Sequence, residues 1–397
     1  MRLSQRLTSL PPYHFAAYNQ TIAELRAAGV DIINLSMGDP DLPTPPEVLD
    51  ALTTAAREPL NQRYPDYAGM PELRGAFAAW FAERFGVALD PAHEVAVLIG
   101  SKEGLAHLPM AVMDPGDVAL MPNPAYPVYP TAVALAGGVC YDLPLDAAHG
   151  WLPDLSNIPA DALSRARTLW LNFPNNPTGV AATAEFFSEA VAFARRHDIL
   201  IVHDMAYAEV RYDGVRPASI LETPGAKEVA VEFHSFSKAY NMAGCRLGML
   251  VGNATIVEGM IRFKSNIDTG VFRPIQYAAI RALALPEAWL AERNAIYQRR
   301  RDRLLAACQQ WGMATATPAA GLYLWPQLPQ ALPVAAGASS EFALRLLRET
   351  GVAVTPGTNF GASGEGYLRI SLTVPDAQLD EAIARIDRLL AAAPATR

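Results

Sequence analysis

The sequence predicts an α/β fold in which helices cover both faces of a mostly parallel sheet, with a smaller α+β domain beside it. The chain has 397 residues, of which 51% are hydrophobic, so it can bury one large core and a second, smaller one. Short apolar runs alternate with longer amphipathic stretches through its middle, and this alternation is typical of parallel strands joined by helices. The pattern changes towards the C-terminus, which indicates a separate lobe.

Four short apolar runs in the middle of the chain are strand candidates. Runs of this length that are apolar at nearly every position suit strands buried on both faces. Thr183 is expected to cap a helix that extends to about His197, between the second and third runs. The runs are VAVLIG (95–100), TLWLNF (168–173), ILIVH (199–203) and VAVEFH (229–234).

The C-terminal part of the chain has a different pattern. The runs GLYLW (321–325) and YLRISL (367–372) predict strands. Pro375 suits the first turn of a final helix, because a proline there removes no helical hydrogen bond. We therefore expect an α+β lobe from about residue 286 to the end. The apolar face of its final helix would carry Leu379, Ile383, Ile386 and Leu390, which follow a 4-3-4 spacing.

Charge and cysteine content argue against several classes of protein. With 32 Lys and Arg against 40 Asp and Glu, the net charge is −8, and we expect neither nucleic acid nor a membrane as a partner. Three cysteines cannot build a disulfide framework, which favours a reducing compartment such as the cytoplasm. We expect neither a signal peptide nor a transmembrane helix, because no apolar run is long enough. The histidines never lie three or four residues apart, so we expect no bound metal.

Chemically useful residues follow each of the four predicted strands. In an open parallel sheet, ligands bind beyond the carboxyl ends of the strands. Taken alone, each group has an ordinary explanation as a turn, a cap or a surface side chain. Their arrival at one edge of one sheet favours a shared site. They are Ser101 and Lys102 after the first run, PNNPTG (174–179) after the second, Asp204 and Tyr207 after the third, and Ser235, Ser237, Lys238 and Arg246 after the fourth.

This set of groups suits pyridoxal phosphate as a cofactor. Pyridoxal phosphate needs a lysine that holds its aldehyde as a Schiff base, a carboxylate that keeps its pyridine nitrogen protonated, and an anion site for its phosphate. The protonated ring draws electrons from the carbanion that forms at the α-carbon of the substrate. An amide or a phenol can donate a hydrogen bond to ring O3′.

Four motifs resemble those of class I/II pyridoxal-phosphate aminotransferases of fold type I. They are NFPNNPTG, HDMAYAEVRYDG, SFSKAYNMAGCRLG and GYLRISL, and the resemblance extends over nearly the whole chain. It implies a seven-stranded type of sheet in a large cofactor-binding domain at residues 46–285. It also implies that residues 1–45 join residues 286–397 in the small domain.

The resemblance assigns roles around the cofactor ring. Lys238 would hold the cofactor and, once released by the incoming amine, move the proton between the substrate α-carbon and the cofactor. Asp204 would pair with the pyridine nitrogen, and Asn176 and Tyr207 would donate hydrogen bonds to O3′. Tyr126, in NPAYPVY, would stack on the ring. The phosphate would be held by Ser101 and Lys102 through their backbone N–H groups, and by Ser235, Ser237 and Arg246.

The resemblance also predicts how the substrate binds. Arg369 would bind the α-carboxylate with a bidentate fork that lysine cannot reproduce. Gly38, in LSMGDPD, would add a backbone N–H to the same carboxylate, and Asn176 would lie beside it. Tyr64 matches a tyrosine that reaches the phosphate in the neighbouring subunit, which implies a homodimer with shared active sites.

The expected reaction is transfer of an amino group from an L-amino acid to a 2-oxo acid, in a ping-pong mechanism through pyridoxamine phosphate. Several substrates remain open. The stretch KSNIDTGVF (264–272) is similar to the branch with LL-diaminopimelate and alanine–glutamate aminotransferases. Aspartate is a further option, because aspartate enzymes often use a second arginine from the partner subunit, and Arg273 lies near that region. Arg273 is as readily explained as a solvated interface residue.

Two other functions are compatible with parts of this pattern. The same cofactor site could catalyse β-elimination as a C–S lyase, because reaction choice depends on loop contacts. A non-enzymatic regulator on this fold would carry an N-terminal DNA-binding domain, whereas here the aminotransferase-like pattern begins by about residue 30. The acidic net charge of −8 argues against the regulator as well.

Overall fold

The computed structural model describes residues 1–8, 10, 16–329 and 337–392. Its strands are β1 (Ile33–Asn34), β2 (Val95–Leu98), β3 (Val118–Asn123), β4 (Val139–Pro144), β5 (Ala166–Asn172), β6 (Leu200–Asp204), β7 (Ala230–Ser235), β8 (Gly248–Gly252), β9 (Tyr323–Leu324), β10 (Val352–Ala353), β11 (Thr355–Pro356) and β12 (Leu368–Ser371).

The helices lie between and around these strands along the chain. They are α1 (Gln5–Thr8), α2 (Ala16–Ala27), α3 (Pro46–Ala56), α4 (Pro71–Phe85), α5 (Ser101–Val112), α6 (Val128–Ala136), α7 (Ala160–Ser164), α8 (Ala184–His197), α9 (Ala226–Val229), α10 (Phe236–Ala239), α11 (Ala254–Lys264), α12 (Arg273–Leu283), α13 (Glu287–Gln310), α14 (Ala338–Thr350) and α15 (Asp376–Ala392). No helix of these described segments is long and apolar enough to cross a membrane.

A seven-stranded sheet with the order β2-β8-β7-β6-β5-β3-β4 forms the centre of the molecule. Neighbouring strands from β4 to β7 are parallel, and β8 runs antiparallel to both β7 and β2. Because β8 is reversed against both neighbours, β2 points the same way as β7. The predicted α/β class with a mostly parallel seven-stranded sheet is confirmed.

Alternate side chains of the strands pack into two different cores, one on each face of the sheet. On β5, Leu169 and Leu171 face the first core, and Trp170 between them faces the other. This period of two is the geometry of a strand, and both faces are covered, which explains why the runs are apolar throughout. At about 25 cal/mol per Å² of buried apolar surface, such a two-sided core is the main stabilising contribution.

A further core is built mostly from the two ends of the chain. It includes Ile22, Leu35, Leu304 and Ile370, with a smaller contribution from the segment around Val210. Two small sheets belong to this region: β1 with β10, and β11-β12-β9. This core supports the division into residues 46–285 and residues 1–45 with 286–397, which stays a prediction; residues 9, 11–15, 330–336 and 393–397 lie outside the described part.

All six predicted strands are present with shifts of one or two residues at their ends. The Thr183 cap is confirmed, because its hydroxyl accepts a hydrogen bond of 3.2 Å from the Phe186 N–H at the start of α8. Strands β1, β3, β4, β8, β10 and β11 were not predicted. In β4 the side chains are mostly exposed or half-buried, as befits an edge strand, and β8 is bounded by Gly248 and Gly252, so both lack the long apolar run used to find the others.

Candidate active site

A cavity of about 510 Å³ opens where the parallel strands end. Every predicted site residue except Tyr64 lines it, although these residues come from segments as far apart as 38 and 369 in the sequence. The predicted residues at its wall are Gly38, Ser101, Lys102, Tyr126, Asn176, Asp204, Tyr207, Ser235, Ser237, Lys238, Arg246 and Arg369. Residues that the sequence did not single out also line it: Asn19, Ser36, Met37, Asp39, Tyr129, Asn172, Ala206, Ala243, Gly244, Tyr323 and Phe360.

Asp204 ends β6 as a buried carboxylate, only 4% exposed. Its Oδ2 accepts a hydrogen bond of 2.7 Å from the Tyr129 hydroxyl, and its Oδ1 accepts one of 3.2 Å from the Ala206 N–H. Burial raises the pKa of Asp204, and the Tyr129 hydrogen bond partly opposes this shift. A cationic ligand group placed against this carboxylate would stabilise its ionised form, as a protonated pyridine nitrogen requires.

Asn172 at the end of β5 holds the adjacent chain segments in place. It is paired with Asp204 in the register of the parallel strands, and its Nδ2 donates to the Asp204 carbonyl at 2.8 Å. Its Oδ1 accepts from the Asn176 N–H at 2.8 Å. The buried side-chain amide of Asn172 therefore holds the backbone of both Asp204 and Asn176, two residues that the sequence predicted in the site.

Lys238 lies in α10, directly after β7. Its Nζ donates a hydrogen bond of 2.6 Å to the carbonyl of Gly38, which comes from the N-terminal part of the chain. The sequence predicted that Gly38 contributes its N–H; in the structure its carbonyl oxygen contacts Nζ. A Cβ at this position would lie 1.7 Å from the Tyr323 hydroxyl, so only glycine fits here.

The start of α5 and the loop after α10 together form an anion cradle. Gly100 has φ +77°, and a Cβ there would lie 2.4 Å from Nη2 of Arg246. A Cβ on Gly248 would lie 2.5 Å from the Ser101 nitrogen. Two glycines therefore let a guanidinium and a helix N-terminus approach each other, and both attract an anion. Nη1 of Arg246 also donates to Ser237 Oγ at 3.3 Å.

Arg369 on β12 is buried at 5% exposure and lines the same cavity. Its Nη1 donates to Asn176 Oδ1 at 3.0 Å, and its Nη2 donates to the Ser36 carbonyl at 2.7 Å. Its Cζ lies 4.0 Å from the ring centroid of Tyr323. Among the described residues its Nε has no hydrogen-bond partner. A planar cation held by an aromatic face, with an orphaned donor, suits a carboxylate.

Two aromatic hydroxyls meet between the lysine and the arginine. The hydroxyls of Tyr207 and Tyr323 lie 3.0 Å apart. Burial raises the pKa of Tyr207 well above its ordinary value. Burial also raises the pKa of Tyr323, but Arg369 and Lys238 outweigh it, so the pKa of Tyr323 lies below its ordinary value. Tyr323 belongs to the predicted strand GLYLW (321–325), but no local motif marks it as a site residue.

Tyr126, Tyr64 and Arg273 have different positions relative to the cavity. The Tyr126 ring lines the cavity, and its centroid is 5.6 Å from that of Tyr129 in an edge-on arrangement. Tyr64 is 86% exposed and lies outside the cavity wall. Arg273 begins α12 and its Nη1 donates to the Leu60 carbonyl at 3.4 Å, also away from the cavity.

One group of side chains has the composition of a metal site. The ligand atoms of Glu103, His107 and Asp268 lie within 4.8 Å of one another. The buried Nζ of Lys264 donates to Glu103 at 2.8 Å and to Asp268 at 3.1 Å. The positive charge that a metal would supply therefore already comes from an ammonium group, and the cluster is an ion-pair network.

The fold and the cavity define an enzyme that handles amino acids on pyridoxal phosphate. Residues 30–386 match the family described as aminotransferase class I and II, and the chain belongs to that family. Enzymes of this family use pyridoxal phosphate. The cavity fits pyridoxal phosphate, because the cavity combines a lysine, a buried carboxylate and an anion cradle. Cβ atoms on two glycines would fill that cradle.

Individual relatives are similar over almost the full length. An LL-diaminopimelate aminotransferase from Dehalococcoides mccartyi is 50% identical over 386 residues, which is 97% of this chain and 98% of the relative. The structure of BacF from Bacillus subtilis is 37% identical with a TM-score of 0.93 and 98% of each chain covered. A mutant of Thermus thermophilus aspartate aminotransferase is 32% identical with a TM-score of 0.91, covering 98% of this chain and 100% of that one.

Proposed function

We propose that this aminotransferase takes the amino group of LL-diaminopimelate and passes it to a 2-oxo acid. The observation that carries the proposal is the 50% identity to an LL-diaminopimelate aminotransferase over 97% of the chain. The sequence had left alanine, glutamate and aspartate open as substrates. A dicarboxylic, diamino substrate also suits the described wall of the cavity, which carries the carboxylate of Asp39 and the amide of Asn19 besides Arg369.

Lys238 is the proposed anchor of the cofactor and the base of the reaction. When bound, pyridoxal phosphate would supply an electron sink for the carbanion at the substrate α-carbon. Nζ of Lys238 would move the proton at that α-carbon. Its contact of 2.6 Å with the Gly38 carbonyl keeps Nζ at the cavity wall, where the substrate must also bind.

Around Lys238, we propose one group of residues that contacts the cofactor ring and another that contacts its phosphate. Asp204 would pair with the pyridine nitrogen, with Tyr129 holding the carboxylate in orientation. Asn176 and Tyr207 would donate to the ring hydroxyl, and Tyr126 would cover the ring face. The phosphate would be held by the backbone N–H groups of Ser101 and Lys102, the hydroxyls of Ser235 and Ser237, and the guanidinium of Arg246, all of which line the cavity.

Arg369 is the proposed partner of the substrate α-carboxylate. The hydrogen bond from its Nη1 to Asn176 and the contact with Tyr323 fix the plane of the guanidinium before substrate arrives. A fixed plane lets both carboxylate oxygens be bound together, which orients the α-carbon towards Lys238. Gly38 lies next to this position and can add its N–H.

We also propose a homodimer in which Tyr64 reaches the phosphate cradle of the partner. Tyr64 is 86% exposed, and Leu60 and Phe272 near it are exposed apolar side chains. The segments that carry them lie together, since a Cβ on Gly270 would be 2.0 Å from the Asp66 carbonyl. An exposed apolar face of this kind suits contact with a second copy. A cytoplasmic location stays a prediction, supported by three free cysteines.

A half-reaction screen tests the substrate. The holoenzyme is mixed with one amino acid at a time, and the change in cofactor absorbance is followed for LL-diaminopimelate, meso-diaminopimelate, L-aspartate, L-glutamate and L-alanine. We expect the highest second-order rate constant, which is the observed rate constant divided by the amino acid concentration, with LL-diaminopimelate. A higher value with aspartate or alanine would contradict the proposal. With L-cystathionine, whose Cβ carries a thiolate leaving group, repeated release of pyruvate and ammonia without an added oxo acid would instead reveal β-elimination.

A further inference from the structure

Behind the cavity, Arg293 lies buried against the backbone of Lys238. It belongs to α13, the long helix of the chain's C-terminal part, and is only 3% exposed. Its Nη1 donates to the carbonyls of Lys238 at 2.8 Å and Ala239 at 2.6 Å. Its Nη2 donates to the carbonyl of Glu209 and to Asn294 Oδ1, and its Nε donates to the same Asn294 oxygen at 3.1 Å.

The guanidinium makes five hydrogen bonds to four acceptors, and all four acceptors are neutral oxygens. Within the described segments, Arg293 forms no ion pair with a carboxylate. Burial without a carboxylate partner lowers the pKa of Arg293, yet a guanidinium stays charged at neutral pH. A buried charge is costly unless its hydrogen bonds are complete, so this position selects for the full fork of an arginine.

Apart from Asn294 on the same helix, the acceptors of Arg293 are backbone carbonyls of two segments that both carry cavity side chains. Lys238 itself gives one carbonyl, and Glu209 lies two residues after Tyr207. Asn294 reinforces the second segment, since its Nδ2 donates to the Glu209 carbonyl at 3.0 Å. One side chain of α13 therefore ties together the backbone beneath the lysine and the backbone beside the phenol.

We propose that Arg293 is a positioning residue that fixes the Lys238 backbone, so that Nζ is presented to the cofactor aldehyde and to the substrate α-carbon. The proposal rests on the proposed role of Lys238. A shift of about 1 Å in a reacting group is enough to cost about a hundredfold in rate, so a backbone tether two bonds from the Cα of Lys238 can act on the reaction without touching the substrate.

The alternative is that Arg293 only stabilises the contact between α13 and the rest of the protein. The two roles predict different results for Arg293→Met, which keeps bulk but removes every donor, and Arg293→Lys, which keeps the charge but cannot bond both segments. Arg301→Met is the matched control. Arg301 is a buried arginine of the same helix whose guanidinium binds Asp213 and the Pro318 carbonyl instead of cavity segments.

The experiment measures covalent attachment of pyridoxal phosphate to the full-length protein after the cofactor has been removed. Stopped-flow absorbance gives the attachment rate constant, and steady-state kinetics give kcat and KM. For Arg293→Met we expect attachment and kcat to fall at least tenfold, with KM within threefold of wild type. The attachment rate and kcat of Arg293→Lys should lie between those of Arg293→Met and the wild type. Arg301→Met should attach the cofactor at the wild-type rate even if its melting temperature falls.

Two results would overturn the proposal. One is a wild-type attachment rate and kcat in folded Arg293→Met or Arg293→Lys. The other is an equal loss in Arg301→Met. If Arg293→Met does not fold, Arg293→Lys decides the question alone, because it keeps the charge and most of the volume. Methylguanidine added to a soluble Arg293→Ala should restore attachment at least threefold, which a lost helix contact alone does not predict.

A separate control isolates the proposed function. Borohydride reduction followed by peptide mapping shows which lysine carries the cofactor in the wild type. A label elsewhere than Lys238 would mean that the assignment of the lysine is wrong. A label on Lys238 together with unaffected Arg293 variants would mean that only the positioning role is wrong.

Discussion

The sheet side of the cavity and the side formed by the two ends of the chain are built in different ways. Asp204, Lys238 and the anion cradle follow strands directly, so the course of the sheet brings them to one edge. Arg369 and Gly38 arrive from sequence positions more than 300 residues apart and meet only because the chain ends pack together. In the proposed mechanism, the sheet therefore supplies the cofactor contacts and the chain ends supply the substrate contacts.

Replacement of Lys238 should have the largest effect, because it removes both the anchor and the base. We expect Lys238→Ala to lower kcat by about 10³-fold or more while the fold persists. Turnover assays and the midpoint of thermal unfolding measure the two quantities. Normal transamination by this variant would contradict the mechanism.

On the substrate side, Arg369→Lys should weaken recognition without loss of the cofactor. A charge-assisted hydrogen bond contributes about 1.5–3 kcal/mol, so loss of the fork should lower kcat/KM by about 10²-fold. Cofactor absorbance should stay as in the wild type. Arg300→Lys is a control, since that buried arginine binds Asp41 and Asp376 outside the cavity. If Arg369→Lys also lost its cofactor, the two sides would not be separable.

Tyr129→Phe should have a smaller effect that depends on pH. The hydrogen bond from Tyr129 lowers the pKa of Asp204, so its removal lets burial raise that pKa further. A higher pKa protonates Asp204 at a higher pH, so the acid limb of the kcat/KM profile should move to higher pH, with about a tenfold loss at its foot. Tyr212→Phe, which loses a buried bond to the Gly321 carbonyl, should leave the profile unchanged.

Below the sheet edge, Glu232 should affect stability more than activity. Burial raises its pKa, but hydrogen bonds from His203 and His234 outweigh burial and bring the pKa to about 2. A folded-state pKa below the unfolded one stabilises the protein above the unfolded pKa, about 4.5, and this contribution is lost as pH falls towards 2. Denaturant titrations should show Glu232→Gln about 3 kcal/mol less stable at pH 7, with the difference shrinking below pH 4.

The sequence predicted the sheet side of the site well, because each group follows an apolar run that is visible locally. Tyr129 was missed, although it lies three residues after Tyr126, because nothing near it indicates that its hydroxyl reaches Asp204. Tyr323 and Arg293 were missed for a related reason. Their partners, Tyr207 and Lys238, are 116 and 55 residues away, and only the packed structure brings them into contact.

The edge strand β4 and the reversed strand β8 were missed because their local sequence signals are weak. β4 has mostly exposed or half-buried side chains, and β8 is a glycine-bounded strand that runs against its neighbours. Neither has the uninterrupted apolar pattern of a strand buried on both faces.

The positions of Arg369 and Gly38 came from the resemblance to a family, and their contact with the cavity depends on the packing of the chain ends.

Borohydride reduction of the holoenzyme, followed by digestion and mass spectrometry of the modified peptide, tests most directly whether Lys238 holds the cofactor. We expect one pyridoxyl group per chain, on Lys238, and a weaker absorbance of the bound cofactor when Asp204 is changed to Asn. A protein that remains unlabelled under saturating pyridoxal phosphate, or a label on another lysine, would contradict it.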